Sequence, residues 1–242
     1  MTSTFHTKAI TLSREPFRES DLRVVVYSSD LGRMSLIARG GLKPGSKLAG
    51  HVEPFILSDL MVIRGRGGNY LASSIGRNFF IGIKSDLTKL GCAGTVARII
   101  KKETREGFCE EARDIFQLLS TFLAKLEQFK KQNQEMLSLS FLLKFLKLSG
   151  SEPSLDVCLH CQSPLGLSGN YFSPGAGGVV CPDCQDAGVG FKFVLSGNSI
   201  KILRFLQRED LGMAGKLVVE DESLNKEVIK TVKAFYNYNF SF

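Results

Sequence analysis

The sequence predicts a multidomain α+β protein: a small amino-terminal β-barrel, an α-helical bundle, and a metal-binding module inserted into that bundle. Three observations carry this. Short apolar or alternating runs separated by turn residues fill residues 6–76, and helix-period spacing takes over from about residue 83. Two Cys-x-x-Cys pairs, Cys158/Cys161 and Cys181/Cys184, then stand nineteen residues apart. The expected domains are a barrel at 1–80, a helical domain at 81–150, a four-cysteine zinc module at 151–190, and carboxy-terminal helices at 191–242 that return to pack on the helical domain.

Five runs make the barrel: Ala9–Leu12, Leu22–Tyr27, Met34–Ala38, Phe55–Ile63 and Tyr70–Ile75. Turn residues such as Ser29-Asp30-Leu31-Gly32 and Gly65-Arg66-Gly67-Gly68-Asn69 separate them. Five strands in about seventy residues with no helix among them fit an OB-fold, and a small SH3-like barrel fits the pattern almost as well. Gly65-Arg66-Gly67-Gly68 is a hairpin turn rather than a dinucleotide loop, because its glycine spacing is wrong and a β-run follows it. Phe55, Tyr70, Phe79 and Phe80 could stack on bases, but a barrel needs aromatic core and most are assigned there.

Basic residues gather at the barrel's turns: Arg33, then Arg39, Lys43 and Lys47 in a Gly-rich loop, then Arg64 and Arg66. Glycines let backbone approach a phosphate while Arg and Lys supply charge, and counterion release makes such binding favourable. These six are the candidate nucleic-acid contacts. A solvated loop between strands accounts equally well for any one of them alone.

Helical spacing follows. Ile115, Leu118, Leu119, Phe122, Leu123 and Leu126 mark an amphipathic helix, and residues 136–148 are apolar nearly all round, as the centre of a bundle is. A helix is expected over 94–106, where Arg98, Lys101, Lys102 and Arg105 form a basic face beside apolar positions. Such a face, with an apolar groove below it, can capture an acidic peptide end. Residues 199–208 and 226–238 again show helical spacing. Cys92 and Cys109 read as core thiols of helical stretches.

The four remaining cysteines give two tight turns that can aim four thiolates at one point, the arrangement a tetrahedral zinc ion needs. Residues 151–190 are sparse in apolar side chains, too few to offset an ordering cost of roughly 1–2 kcal/mol per backbone residue. A structural zinc site contributes on the order of 10–16 kcal/mol. Two disulfides, a redox pair or four unrelated thiols are the alternatives. Four thiolates leave no open position for water, so a catalytic zinc is not expected. His160, between two of the cysteines, is expected to point away.

Charge and the amino terminus narrow the class further. The chain carries 31 Lys and Arg against 24 Asp and Glu, net +7, and residues 151–190 contain no Lys or Arg at all, so the surplus lies in the first 150 residues. A polyanion is the natural partner. The amino terminus has no apolar signal region, and the longest apolar run is interrupted by Lys144 and Lys147, so a cytosolic protein is expected. His6, His51 and His160 sit in unrelated contexts, and no phosphate-binding Gly-Lys-Ser/Thr loop or paired carboxylates accompany them; no enzyme is expected.

The run Pro153-Ser-Leu-Asp-Val-Cys158-Leu-His-Cys161, followed by Tyr171-Phe-Ser-Pro174 and Gly177-Gly-Val-Val-Cys181-Pro-Asp-Cys184, resembles the zinc-finger region of the RecO family of bacterial recombination mediators. Lys8-Ala-Ile-Thr-Leu12, Gly32-Arg-Met-Ser-Leu-Ile-Ala-Arg-Gly40 and Pro54-Phe55 resemble that family's barrel. Gln162 and Gln185 stand where glycine often follows the second cysteine of a knuckle. The resemblance implies an OB-fold, a helical domain and a zinc module. It further implies binding to single- and double-stranded DNA, strand annealing, and contact with the acidic tail of single-stranded-DNA-binding protein (SSB). Together with RecR, such a protein helps RecA load onto covered DNA. The competing class is a zinc-stapled protein–protein adaptor that touches no DNA.

Overall fold

In the computed structural model, which describes residues 3–186 and 190–240, the chain forms two compact units, Met1–Lys131 and Gln132–Phe242. The first contains five strands: β1 (Ser3–Phe17), β2 (Asp21–Ser28), β3 (Gly32–Ala38), β4 (Leu57–Gly65) and β5 (Gly68–Asn78). They close into a barrel in the order β1-β2-β3-β5-β4. All pairings are antiparallel except β3 with β5, where Ile37 faces Tyr70. Alternate residues fill the interior: Leu22, Val24 and Val26 from β2, Met34, Leu36 and Ala38 from β3, Leu60 and Val62 from β4.

β1 runs well beyond the expected Ala9–Leu12. Its first half pairs with β4 and its second with β2, with a register shift between Thr11 and Ser13 that turns the strand from one neighbour to the other. Polar residues flank its apolar centre because His6, Lys8 and Glu15 point outward into solvent. β2 breaks the alternation for the opposite reason. Val25 and Tyr27 face outward, yet they are buried, because α3 (Ala112–Gln128) packs across β1, β2 and β3 while α2 (Leu87–Glu103) packs on β1. A short helix, α1 (Ile81–Lys84), precedes them.

α2 starts earlier and ends sooner than the spacing predicts. Asp86 caps its first turn by accepting from the Thr88 and Lys89 amides. At the other end Thr104 is extended, and Arg33 pairs with Glu106 in a β-bridge, the Gly107 N–H donating to the Arg33 carbonyl at 3.0 Å. Arg105 therefore lies beyond the helix. Cys109 lies in the turn before α3, half-buried, 3.8 Å from the Tyr27 hydroxyl, rather than inside a helix. Burial, and then the neighbouring thiol, push the ionisation of that hydroxyl far above its usual range. Cys92, in α2, is also only half-buried.

The second unit is built around α4 (Gln134–Leu148), whose Leu137, Phe141, Phe145 and Leu146 are fully buried. Against it pack α5 (Gly197–Arg208), α6 (Leu211–Ala214) and α7 (Glu222–Phe240). Ser140 of α4 donates to the Leu206 carbonyl at 2.8 Å and Lys144 to that of Gln207 at 3.0 Å. Thus α1–α3 belong to the barrel's unit and α4 to the other. A three-stranded sheet that periodicity does not reveal lies between α4 and α5 in sequence. Its strands are β6 (Asn170–Ser173), β7 (Gly178–Val180) and β8 (Phe193–Leu195), in the order β7-β6-β8. Phe172 of β6 meets Phe235 of α7 edge to face, ring centroids 5.9 Å apart. Among the described residues, no helix is long and apolar enough to cross a membrane.

Candidate metal centre and nucleic-acid face

Cys158 and Cys161 lie in a turn ahead of β6, and Cys181 and Cys184 follow β7 directly. Each pair is a knuckle closed by backbone. Gln162 donates to the Cys158 carbonyl at 3.0 Å, and Cys184 to that of Cys181 at 3.1 Å. The Leu159 amide donates to the Val179 carbonyl at 2.9 Å and ties the first knuckle to β7. The result brings all four Sγ atoms within 4.8 Å of one another, with Cys161 and Cys181 3.7 Å apart. A disulfide needs about 2.05 Å. A tetrahedral thiolate centre with metal–sulfur bonds of about 2.3 Å holds its sulfurs roughly 3.8 Å apart. The geometry fits a metal and not a disulfide, and the cysteines are free thiols.

The electrostatics of the donor set agree. At Cys158 burial opposes ionisation, but the amides of Cys181, Cys161 and His160 donate to the sulfur and outweigh it, bringing the thiol down to about 6. Hydrogen bonding from Ser163 lowers Cys161. Burial and the neighbouring sulfurs push Cys181 up, and Cys184 up to about 12. Four convergent sulfurs cannot all ionise without a countercharge, and a divalent cation supplies one. His160 is exposed and forms no part of the sulfur cluster. Gln162 carries φ of 60°, the left-handed conformation that glycine would take without strain, whereas Gln185 is right-handed at −56°.

The six basic barrel residues do not lie together. Arg33 opens β3 and Arg39 follows its end, so about six residues of strand, roughly 20 Å, separate them. The Arg33 guanidinium donates through Nε to the Thr104 carbonyl at 2.8 Å. Arg39, Lys43, Arg64 and Arg66 lie toward one end, whereas Lys47 precedes a turn at 49–51 whose His51 carbonyl accepts from Ser58 and Ser74 toward the other end of β4 and β5. Arg66 sits in the turn between β4 and β5, Arg64 at the end of β4, and Arg39, Lys43 and Lys47 on the loop after β3. That loop is pinned to the β1–β2 turn, because Gly40 donates to Asp21 Oδ1 at 2.8 Å and Leu42 to the Ser20 carbonyl at 2.9 Å. Arg14, Arg23 and Arg77 pair with Glu53, Glu15 and Asp59. Among the described residues, no ion pair engages Arg39, Lys43, Lys47, Arg64 or Arg66.

Three further residues join this end that sequence alone does not single out: Phe17, Arg18 and Arg23. Arg23 faces Ile37, and Ile37 faces Tyr70, in one row across the outside of β2, β3 and β5. Arg18 and Arg23 both lie over the Phe17 ring, at 5.0 and 4.4 Å. Arg18 is held in the β1–β2 turn at φ of 56°. Their only trace in sequence is an aromatic–arginine pair at a turn, too common to use. Of the four aromatics assigned mainly to core, Phe55 and Phe80 are buried, Phe79 is exposed and Tyr70 is half-buried on this face.

On α2, Arg98 is exposed, Lys101 donates to Ser13 Oγ at 3.1 Å and Lys102 pairs with Glu103. Arg105 is exposed just past the helix.

A closed five-stranded barrel with an arginine-bearing outer face, followed by a helical unit that carries a four-cysteine cluster able to hold a metal ion, defines a two-unit barrel-and-knuckle class of protein. Within that class the chain belongs to the RecO family. The model described as Recombination protein O N terminal matches residues 1–76, and the one described as Recombination protein O C terminal matches residues 84–241. Relatives named DNA repair protein RecO include that of Dehalococcoides mccartyi, 30% identical over 98% of this chain and 90% of its own length. That of a Roseiflexus species is 31% identical over 94% and 81%, and that of Desulforamulus reducens 29% over 95% and 87%.

Proposed function

We propose that this protein is a DNA-binding recombination mediator in DNA repair. It anneals strands and helps a RecA-type recombinase load onto single-stranded DNA coated by SSB, working with RecR in the cytoplasm at the nucleoid. It catalyses no covalent chemistry. The observation that carries the reading is the group of cations Arg39, Lys43, Arg64 and Arg66 toward one end of the barrel, engaged by no ion pair among the described residues, in a chain of the RecO family; Lys47, on the same loop as Arg39 and Lys43, extends it. The strand order and the single parallel pair support an OB-type barrel, whose β2–β3 face and β1–β2 and β4–β5 loops bind oligonucleotides in other proteins. Arg33, which already serves the 104–107 segment, contributes least.

The metal is zinc, held by Cys158, Cys161, Cys181 and Cys184 in a purely structural role, since four thiolates leave no site for substrate. The acidic tail of SSB docks beside Arg98 and Arg105, with Lys101 and Lys102 at the rim. In support, no ion pair among the described residues engages Arg98 or Arg105.

An anisotropy titration with labelled single strands at two salt concentrations tests the DNA reading. Binding that weakens with salt, and that is lost when Arg39 and Lys43 are both changed to Glu, is expected. Salt-independent signal or none would leave a zinc-stapled protein–protein adaptor instead. For the tail, a peptide ending in Asp-Asp-Asp-Ile-Pro-Phe should bind, and Arg98→Glu should weaken it.

A further inference from the structure

The aromatic rings at the cationic end of the barrel have already been taken. Proteins that hold single strands commonly combine a basic groove with rings on which bases stack. Here each ring carries a guanidinium. Arg39 lies 4.4 Å above the Tyr70 ring, Arg64 lies 5.4 Å from that of Phe5, and Phe17 is shared by Arg18 and Arg23.

Tyr70 is held on more than one side. The hairpin it belongs to crowds the ring's edge: a Cβ placed on Gly65 would come within 3.0 Å of ring Cε2, and one on Gly67 within 3.0 Å of the hydroxyl. Glycine at both positions leaves room for the ring and its hydroxyl. Phe5, by contrast, is half-buried against the barrel interior, with Arg64 near its ring. A guanidinium over a ring keeps N–H donors at its edge that can meet phosphate oxygens, while its long side chain loses mobility; Arg23 shares its own with Glu15.

We propose that this face grips a single DNA strand through its phosphates alone, with Tyr70 and Phe17 serving as platforms that position arginines rather than bases. The inference rests on the DNA-binding reading above and says how the strand is held. Tyr70 is then a positioning residue for Arg39. Bases of a strand gripped this way keep their pairing edges and faces in solvent, open to a complementary strand, and affinity does not depend on which bases they are.

The test compares an end-labelled oligothymidylate of about 30 nucleotides with an abasic strand of the same length, titrated with the full-length protein over a range of salt. The two should bind within about twofold of each other, with the same log–log salt slope of about −0.7 per phosphate engaged. Tyr70→Leu should weaken both by the same factor, about three- to tenfold, leaving their ratio unchanged, and Tyr70→Phe should bind like the unaltered protein. An abasic strand that binds about tenfold more weakly, with the gap closed by Tyr70→Leu, would overturn the inference in favour of base stacking. Binding of neither strand would overturn the DNA reading itself and this inference with it.

Discussion

The barrel and the cysteine module are both small β-structures, and they are held together by different physics. The barrel interior contains a cluster of eleven buried residues from all five strands and the loop at Val52. Around the knuckles the corresponding cluster is Cys158, Val180 and Cys181, with Leu159, Leu165 and Cys184 at its edge. A closed sheet with alternate side chains inside excludes enough water to stand without a ligand. The knuckles bury far less, and half of their small cluster consists of the cysteines themselves. Where sequence supplies too little apolar area, four thiols placed to hold a metal ion could supply ligation in its stead.

Metal removal should therefore separate the two regions, and it is the largest effect expected. Chelation, or Cys158→Ser, should abolish hydrogen-exchange protection around residues 157–184, as the loss of a site worth on the order of 10 kcal/mol dictates. The barrel amides should keep theirs. Lowering the pH should release the metal too, because each thiolate then takes up a proton in its place. Loss of barrel protection along with that of the knuckles would contradict the contrast.

The reciprocal change is Leu36→Ala, which removes a fully buried side chain from the barrel. It should cost about 2–5 kcal/mol in urea unfolding of the barrel and leave metal content at one ion per chain. Next comes Arg33→Gln, which discards a hydrogen bond to the Thr104 carbonyl. It should lower barrel stability by about 1 kcal/mol while leaving single-strand affinity within about twofold of the original. A drop in affinity as large as that of Arg39→Gln would place Arg33 among the DNA contacts. Smallest, Gln162→Gly relieves a left-handed residue in the first knuckle and should stabilise the metal-bound module by about 1 kcal/mol, read from its thermal midpoint.

The four-cysteine cluster is fully legible in the order of residues, because two Cys-x-x-Cys pairs constrain where their sulfurs can go almost regardless of the fold around them. Strands β2 to β5 are legible at their apolar centres. The ends of β1 are not, since its outward residues are polar and exposed while its partner changes halfway along. Strands β6, β7 and β8 are three or four residues long, too short to show a period. The candidate DNA contacts are legible as residue types but not as a face. Arg33 and Arg39 look equivalent in sequence, and only the register of β3 puts them at opposite ends.

What sequence alone determined is the chemistry whose partners are close in the chain: four thiols in two turns, a cationic barrel, an apolar central helix. Tertiary structure decided which helices accompany the barrel and which surround α4, and which cations share a surface. It also placed Arg18, Arg23, Arg39 and Arg64 over aromatic rings, Arg39 some thirty residues from the ring it covers. The reason is one of range. Ligand spacing and helical period act over a few residues, whereas strand pairing joins residues whose separation in the chain leaves no mark on either one's neighbours.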